Sequence, residues 1–278
     1  MWLAITNQRI LKGDCSMKPN YKNWMPKGMI YAGAGGTGAF LALYLAARMA
    51  GRISAGWRTA LLAIGLGGFV VGATSTIWMT FMYRTFSYDG KRQLSRRIIE
   101  EIASHVSLQE GSEALDIGCG SGALTIACAR RNPGARLLGV DRWGKEYASF
   151  SKKLCEQNAK AEGVQNVSFA KGDATHLDFP DEHFDAVVSN YVYHNIPSRD
   201  RQAILLETLR VLKPGGTFAL HDIFSKAKYG DMQAFLQKLG DMGYREVQLI
   251  STTKGNPITP FEALWMELAG SALLVGKK

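Results

Sequence analysis

Residues 113 to 126 run Glu-Ala-Leu-Asp-Ile-Gly-Cys-Gly-Ser-Gly-Ala-Leu-Thr-Ile, and this stretch decides the fold. A short apolar run ends in three glycines at alternate positions, and apolar residues then return at helical spacing. The pattern predicts a strand, a tight turn and a helix. Glycine permits turn angles that a side chain would forbid, and the free N–H groups that begin the helix favour electron-rich ligand atoms. A nucleotide-like cofactor is therefore expected at this turn.

The spacing of the glycines favours a cofactor without a phosphate. Gly118, Gly120 and Gly122 form Gly-x-Gly-x-Gly. This pattern is neither the Gly-x-Gly-x-x-Gly of dinucleotide sites nor the Gly-Lys-Ser/Thr ending of a phosphate-binding loop. Asp116 precedes the first glycine by two residues, where its carboxylate would repel a pyrophosphate but would hold a cation or an amine through water.

The segment Asp-Ile-Gly-Cys-Gly-Ser-Gly, residues 116–122, resembles the first motif of the class I S-adenosylmethionine-dependent methyltransferases. The turn Leu-Lys-Pro-Gly-Gly at residues 212–216 is also typical of that family. The resemblance covers residues 94–276 and implies an α/β fold with a Rossmann-like sheet of seven strands, one of them antiparallel. It also implies S-adenosylmethionine as the cofactor, with no metal required. Nothing in it covers residues 1–83.

The predicted elements of this domain follow the apolar periodicity of the sequence. Helices are expected at residues 94–106, 145–163, 201–212 and 231–243. Strands are expected at residues 114–117, 136–140, 167–170, 184–190, 245–250 and 271–276, and residues 212–220 are expected to form a turn that leads into the fifth strand.

Cofactor contacts are predicted first in the glycine loop, at Asp116, Gly118, Cys119, Gly120, Ser121 and Gly122. Asp141 ends the second predicted strand, where an acid accepts hydrogen bonds from both ribose hydroxyls. The resemblance places Arg142 and Trp143 beside the adenine, with Trp143 favoured because a flat apolar ring stacks on a base.

Two further segments complete the predicted cofactor site. The resemblance assigns the carboxylate of Asp173 to the adenine amino group and the backbone amide of Ala174 to a ring nitrogen. Asn190 ends the fourth predicted strand, at the edge where ligands of open α/β sheets bind.

The predicted catalytic residues follow this strand directly: Tyr191, Tyr193 and His194. The unperturbed pKa of histidine suits a general base, so His194 is the candidate for proton transfer. The alternative is that His194 only packs near the cofactor, since methyltransferases of many different substrates resemble this one in having a histidine here. His221 and Asp222, at the end of the fifth strand, are secondary candidates for substrate contact.

The excess of positive charge lies in the first third of the 278-residue chain. Residues 1–83 contain eight of the 33 Lys and Arg residues but only one acid, whereas the remaining 25 accompany 23 acids. A nucleic-acid-binding protein would load basic residues onto its folded domain, so no nucleic-acid partner is expected. The four cysteines, Cys15, Cys119, Cys128 and Cys155, lack Cys-x-x-Cys spacing, which disfavours a zinc site or a disulfide framework.

Two long uncharged runs, residues 29–47 and 59–83, precede the methyltransferase-like region. A helix needs roughly 20 residues to cross a ~30 Å hydrocarbon layer, and both runs are long enough. We therefore predict a basic tail over residues 1–28, a transmembrane helical hairpin over residues 29–83 and a class I methyltransferase domain over residues 84–278. A pair of buried globular helices or a cleaved signal peptide fits less well, because the first run begins late and a second follows at once.

Small residues recur in these runs at four-residue spacing, with Ala32 and Gly36 in the first and Gly68 and Gly72 in the second. Such spacing predicts that the two helices pack closely. The glycine-rich string at residues 33–38 follows no strand, so it is also interpreted as helix packing rather than as a second nucleotide loop.

Basic residues on the two flanks outnumber those of the connecting loop, which predicts that both chain ends and the catalytic domain lie in the cytoplasm. The flanks carry Arg9, Lys12, Lys18, Lys22, Lys27, Arg84, Lys91, Arg92, Arg96 and Arg97, and the connection carries Arg48, Arg52 and Arg58.

The predicted function is a membrane-anchored S-adenosylmethionine-dependent methyltransferase that acts on a small or lipophilic acceptor, such as a quinone precursor or a lipid head group. Three alternatives stay open: a tethered enzyme for a soluble metabolite, a spermidine-synthase-like enzyme, and a non-catalytic membrane module that binds the cofactor. Tyr88 is either part of a lid or a membrane-surface aromatic residue. Pro257, Pro260, Phe261 and Trp265 shape either an acceptor pocket or a membrane-facing edge.

Overall fold

The computed structural model describes residues 18–144 and 149–278, which form a helical hairpin joined to an α/β domain. Several predicted features lie outside the described residues: most of the basic tail with Arg9, Lys12 and Cys15, and the predicted helix start at residue 145.

Two antiparallel helices form the N-terminal hairpin. Helix α1 covers Lys27–Met49 and helix α2 covers Ala55–Phe86, so both uncharged runs are helical as predicted. By length and composition alone, both helices qualify as membrane spans. Their apolar side chains are largely exposed, with 0% of the α1 span and 6% of the α2 span buried inside the protein.

Glycines of α2 bring the two helices into close contact. A Cβ atom on Gly65 would lie 2.7 Å from the backbone nitrogen of Tyr44, and one on Gly68 would lie 2.2 Å from Cδ1 of Phe40. Gly72 likewise has no room for a side chain, because Thr37 Oγ1 is 2.6 Å from the position of its Cβ. The small residues predicted on the second helix therefore lie at the helix contact.

On α1 the contact follows a different line from the predicted one. A Cβ atom on Gly33 would lie 2.7 Å from Cε of Met79, whereas Gly36 has nothing within 4 Å. Ala32 is also exposed. The residues of α1 that meet α2, namely Gly33, Thr37, Phe40 and Tyr44, recur at alternating steps of four and three, as in a coiled-coil seam. Ala32 and Gly36 therefore lie one position before the first two of them.

The α/β domain is built on one seven-stranded sheet. Its strands are β1 Glu113–Ile117, β2 Arg136–Asp141, β3 Val167–Lys171, β4 Phe184–Asn190, β5 Leu212–Ile223, β6 Arg245–Ser251 and β7 Ser271–Lys277. The spatial order is β3-β2-β1-β4-β5-β7-β6. Strand β7 runs antiparallel to both of its neighbours and the other pairs are parallel. The predicted Rossmann-like sheet with one antiparallel strand is confirmed.

Helices cover both faces of this sheet. Helices α3 Leu94–Ser104, α4 Ala123–Arg131 and α5 Lys152–Ala161 pack on one face, together with α9 Pro260–Trp265. Helices α6 Arg201–Arg210, α7 Lys226–Tyr229 and α8 Met232–Asp241 pack on the other face. Each face buries its own apolar core, as expected for a doubly wound sheet.

Of the predicted boundaries that differ from the structure, two concern helices α5 and α6. Helix α5 begins at Lys152, because the hydroxyl of Ser151 caps it by accepting a hydrogen bond from the Leu154 amide at 3.2 Å. Helix α6 ends at Arg210, and Leu212 already pairs with Phe184 of β4. The Pro-Gly-Gly turn is therefore an irregularity inside strand β5 rather than a corner before it. Helices α7 and α9 were not predicted.

Residues 18–26, the N-terminal strap, lie on the α/β domain before α1 begins. The backbone amide of Asn20 donates to Oδ1 of Asn158 in α5 at 2.7 Å. Tyr21 is only 4% exposed and packs against Tyr88, with ring centroids 4.4 Å apart. Tyr88 thus belongs to the contact between the strap and the domain. The strap also contributes to the core of the domain, a role that the sequence analysis does not predict.

Candidate functional site

A cavity of about 520 Å³ opens at the carboxyl ends of strands β1, β2 and β4. In open α/β sheets this edge is where ligands bind. One wall of the cavity consists of the glycine loop and the acids that end the strands. A second part of the lining, the apolar wall, consists of aromatic and aliphatic side chains.

All three glycines of the loop have left-handed backbone angles, with φ values of 72°, 54° and 80°. The first of them, Gly118, also lacks room for a side chain, since its Cβ would lie 2.2 Å from Val192. The amides of Gly118 and Cys119 donate to the carbonyl of Val140, which ties the loop to β2. Gly122 is the residue directly before α4 and does not line the cavity. The predicted loop residues that do line it are Asp116, Gly118, Cys119, Gly120 and Ser121.

Asp116 carries a buried carboxylate with one unsatisfied oxygen. The residue is 2% exposed and lines the cavity. Its Oδ2 accepts a hydrogen bond from the hydroxyl of Thr125 at 2.6 Å, whereas Oδ1 has no partner among the described residues. Burial raises the pKa of Asp116 to about 7. A ligand that carries an ammonium or sulfonium group supplies the missing positive charge, so this position fits a cationic cofactor.

Asp141 lines the cavity at the end of β2 and holds the glycine loop in place. Its Oδ2 accepts from the Gly120 amide at 2.9 Å and its Oδ1 accepts from the Trp143 amide at 2.7 Å. Each carboxylate oxygen has a second lone pair, which leaves both able to accept from a diol.

Trp143 does not face the cavity. Its φ is 44°, and its indole Nε1 donates to the Gly120 carbonyl at 2.9 Å, so the ring braces the glycine loop. Arg142 does line the cavity. The predicted preference for Trp143 over Arg142 as a residue lining the site is therefore wrong.

Asp173 and Ala174 line the cavity beyond the end of β3. Oδ1 of Asp173 accepts from both the amide and the hydroxyl of Thr175, at 2.9 and 2.7 Å. These hydrogen bonds hold the pKa of Asp173 below its usual range. Its Oδ2 accepts none from the described residues, which leaves an oxygen for an exocyclic amine.

Asn190 ends β4 at the cavity and is positioned by His221. Its Oδ1 lies 2.9 Å from Nδ1 of His221, whose Nε2 lies 3.0 Å from the hydroxyl of Thr252. His221 is fully buried, and burial lowers its pKa to about 4. The imidazole is therefore neutral at pH 7 and does not reach substrate, contrary to the prediction.

His194 lines the cavity and forms a pair with Asp222. Its Nδ1 lies 2.6 Å from Oδ1 of Asp222, and the two side chains are 14% and 0% exposed. The same carboxylate accepts hydrogen bonds from the backbone amides of Tyr193, His194 and Ile223. An acceptor fixed by three amides leaves the Nδ1 proton on the imidazole, so Nε2 carries the free lone pair. Asp222 is thus a support for His194 and not a substrate contact.

The two predicted catalytic tyrosines lie in different places. Tyr191 lines the cavity, and its hydroxyl is 2.8 Å from that of Ser271. Burial raises the pKa of Tyr191, so it stays protonated at pH 7. Tyr193 is 0% exposed, and its hydroxyl lies 3.0 Å from Thr208 in the core on the other face of the sheet. Its prediction as a catalytic residue is therefore wrong, because the short 3₁₀ turn at residues 193–195 directs the ring away from the cavity.

The apolar wall of the cavity was not predicted. Trp24 of the strap lies across from Tyr191, with ring centroids 5.5 Å apart, and contacts Phe86 at 5.4 Å. The other large apolar residues of this wall include Ile99, Ile223 and Leu268. The apolar wall is therefore built from the strap before α1, the last residue of α2 and the segment after α9.

Within residues 18–144 and 149–278, no group of His, Cys, Asp and Glu residues could hold a metal ion. The three described cysteines, Cys119, Cys128 and Cys155, are free and buried.

Part of the chain is similar to known methyltransferases. Residues 115–220 match the family model described as a methyltransferase domain. Demethylmenaquinone methyltransferase of Geobacillus stearothermophilus is 32% identical over 137 residues, which cover 49% of this chain and 56% of the relative. The 27-O-demethylrifamycin SV methyltransferase of Amycolatopsis mediterranei is 28% identical over 159 residues, which cover 57% of this chain and 56% of the relative. The chain thus spans about half the length of the curated relatives it matches.

Among solved structures, the cyclase SpnF superposes with a TM-score of 0.51 at 20% identity. The superposition covers 67% of this chain and 82% of that chain. At this identity the likeness concerns the fold alone.

Proposed function

We propose that this chain, which contains a class I S-adenosylmethionine-dependent methyltransferase domain, transfers a methyl group to a lipophilic acceptor at a membrane. The observation that carries the proposal is the division of the cavity into two unlike walls. One wall presents acids at the strand ends, and the other presents aromatic rings that continue directly into the hairpin helices.

The polar wall would hold the cofactor. We assign Asp116 to the ammonium group, Asp141 to the ribose hydroxyls, and Asp173 with Ala174 to the adenine edge. When bound, S-adenosylmethionine supplies a methyl group on a sulfonium and leaves as a neutral thioether. The buried Oδ1 of Asp116 supports this placement, since it needs a donor that the described residues do not provide. Oδ2 of Asp173 is also left available, because the hydrogen bonds from Thr175 go to Oδ1.

His194 would act as the general base. Nε2 of His194 would take the proton that the acceptor's nucleophilic atom gives up when it is methylated. Asp222, at 2.6 Å from Nδ1, would stabilise the imidazolium that results. Positioning of the two reactants supplies most of the rate in such a transfer, and general-base catalysis adds about 10²–10⁴-fold.

The apolar wall would hold the acceptor. Trp24 lies three residues before the first residue of α1, and Phe86 is the last residue of α2. An acceptor with a hydrocarbon tail would therefore meet apolar surface continuously from the helices to the cavity. The relatives that act on demethylmenaquinone support an acceptor of the isoprenoid quinol class.

The hairpin would anchor the enzyme with both of its ends in the cytoplasm. The strap and the segment after α2 both join the α/β domain, so the two ends lie on the same side. The greater number of basic residues on that side supports a cytoplasmic location.

Methyl transfer by the full chain in lipid nanodiscs tests the proposal. The two acceptors would be a demethylated quinol with a long isoprenoid tail and the same ring without a tail, and mass spectrometry would measure the product. We expect transfer to the tailed quinol with a KM at least tenfold lower than for the tail-less ring. Equal KM values would reject the lipophilic acceptor, and no transfer to either compound would reject quinols as the acceptor class.

The variant His194→Gln tests the base in the same assay. We expect kcat to fall about 10²–10⁴-fold without a change in cofactor affinity. His176→Gln is the matched control, since that side chain is 83% exposed and lies outside the cavity. An unchanged kcat in His194→Gln would limit this histidine to packing beside the cofactor.

A further inference from the structure

Helix α9 exposes its apolar side chains and buries its acid. Its apolar residues Phe261, Leu264 and Trp265 are 62%, 79% and 49% exposed, whereas its acid Glu262 is 6% exposed. A short helix on a water-facing surface would do the opposite. Outside the hairpin, the only other large apolar side chains exposed in the described part of the chain are Met242 and Ile250. The apolar face of α9 is therefore a distinct patch that water alone does not explain.

Three contacts attach α9 to the hairpin and to the segment that follows it. The indole Nε1 of Trp78 in α2 donates to the backbone carbonyl of Trp265 at 2.7 Å. The rings of Phe81 and Phe261 meet edge to face, with centroids 6.4 Å apart. These contacts lay the exposed face of α9 alongside the exposed surface of α2.

The third contact is an ion pair that explains the buried acid. Arg92, which follows α2, donates through Nε to Oε1 of Glu262 at 2.5 Å and through a terminal nitrogen to Oε2 at 2.8 Å. Glu262 also accepts from the amide of Thr259, closing the capping box that begins α9. Because Glu262 pairs with Arg92 on the buried side of α9, the face that α9 turns outward carries the apolar side chains.

Helix α9 contacts α2 at the level where the length of α2 places the edge of a bilayer. Arg58 and Trp78 lie twenty residues apart in α2, which is roughly 30 Å and equals the thickness of a hydrocarbon core. Lys27 at the start of α1 lies over the ring of Tyr83, 5.5 Å from its centroid, and so marks the headgroup level just beyond Trp78. Tryptophan is enriched at this boundary, where one end of its ring is apolar and the other is wet.

We propose that α9 is a third membrane contact, which lies in the interface between headgroups and acyl chains of the same bilayer that the hairpin spans. The proposal rests on the proposed function, because it takes the hairpin as transmembrane. Its occupant is lipid, since the apolar face continues the lipid-facing surface of α2. Leu268, three residues beyond α9, lines the cavity, so this contact holds the apolar wall at the depth from which a hydrocarbon-tailed acceptor leaves the bilayer.

Nitroxide labels on single cysteines of the full chain in nanodiscs test this placement. The labelled variants are Leu264→Cys in α9, Val71→Cys in the middle of α2 and Met242→Cys at the end of α8, whose native side chains are 79%, 65% and 52% exposed. The background replaces Cys15 by serine, and the three remaining cysteines are buried. The measurement is collision of each label with oxygen, which enters lipid, and with a water-soluble nickel chelate.

We expect the labels at Leu264 and Val71 to collide more with oxygen than with nickel, and the label at Met242 to do the reverse. A label at Leu264 that is as accessible to nickel as that at Met242 would overturn the proposal while leaving the hairpin in the membrane. Protection of Leu264 from both reagents would show that protein, for instance a second copy, covers α9, and would also overturn it. Exposure of Val71 to nickel would instead reject the transmembrane hairpin and hence the proposed function itself.

Discussion

Asp222 is the residue around which the acceptor side of the site is arranged. Its buried carboxylate accepts hydrogen bonds from three backbone amides and from the imidazole of His194, so both the turn after β4 and the histidine depend on it. The proposed base thus has a fixed orientation before any substrate arrives. Such pre-organisation is what distinguishes a base from a histidine that only packs.

The variant Asp222→Asn is expected to lower kcat by about 10²–10⁴-fold, because an amide in place of the carboxylate no longer fixes the tautomer of His194. Calorimetric affinity for S-adenosylmethionine should stay within a few-fold, which separates a catalytic defect from unfolding. Steady-state kinetics as a function of pH is the measurement. A variant that keeps its kcat and its pH profile would contradict the role of Asp222.

If Asp116 holds the cofactor as proposed, cofactor binding should depend on pH. Burial raises its pKa to about 7, so the carboxyl is mostly protonated in acid and must release its proton when a cationic ligand binds. The Kd for S-adenosylmethionine should therefore fall by up to about tenfold per unit as pH rises from about 5.5 to about 7, and then level off. Titration calorimetry checks this, and Asp116→Asn should remove the slope. A Kd that is flat over this range in the wild type would contradict the assignment.

For the site residues, the sequence predicts a place in the cavity more reliably when the residue ends a strand than when it follows one. Asp116, Asp141 and Asn190 line the cavity because parallel strands end at one edge of the sheet. Tyr193 points into the core because the turn after β4 is a 3₁₀ helix, which apolar periodicity does not detect. The pairing of His194 with Asp222 joins the ends of two strands, and one sequence alone does not reveal which side chains meet there.

Among the elements, the hairpin depends on backbone contact at a few glycines. At Gly65 an added Cβ would meet backbone atoms of Tyr44, which move only if the two helices separate. At Gly67, two residues away on the same helix, an added Cβ meets nothing within 4 Å. The two positions therefore form a matched pair.

We expect Gly65→Ala to destabilise the protein by about 1–3 kcal/mol, as overpacking does. Gly67→Ala should be neutral or stabilising by up to about 1 kcal/mol, since alanine favours helix more than glycine does. Thermal unfolding of both variants in detergent, followed by circular dichroism, gives the comparison. Equal melting temperatures for the two variants would mean that the helices do not pack along this line.

The strap contributes a single side chain, Trp24, to the apolar wall that we propose holds the acceptor. Truncation in Trp24→Ala removes the ring that contacts Phe86 and Tyr191, and should raise KM for a tailed acceptor roughly tenfold, as expected from the loss of a buried apolar contact. Cofactor affinity should change less. Trp57→Ala is the control, because that ring is 70% exposed near the opposite end of the hairpin. Identical KM values in the two variants would remove the strap from the acceptor site.

Most elements follow from periodicity, and the exceptions have physical reasons. Helix α9 has six residues with its apolar side chains outward, so it lacks the amphipathic pattern that marks a buried helix. The strap has no regular structure and is ordered by contacts to residues more than a hundred positions away, such as Asn158. Apolar periodicity therefore predicts neither of these two segments.

In the whole molecule, the strap, the end of α2 and α9 gather on one side of the α/β domain, around the apolar wall of the cavity. The sequence predicts the hairpin and the doubly wound sheet separately, because each has its own apolar pattern. How the two are joined depends on contacts between Trp24, Phe86 and Tyr191, which belong to three distant segments. This junction makes the apolar wall of the cavity continuous with the hairpin, which is the basis for the proposed anchored enzyme.

Calorimetric titration of the detergent-solubilised full chain with S-adenosylmethionine and with its demethylated product tests most directly that the cavity at the glycine loop is the cofactor site. The variants are Asp141→Ala, the more conservative Asp141→Asn, and Asp178→Ala as the control, whose native side chain is 92% exposed. We predict saturable binding by the wild type and the control, and a large loss of affinity in both Asp141 variants. Absence of binding to folded wild-type protein, or equal affinity in the Asp141 variants, would contradict the site.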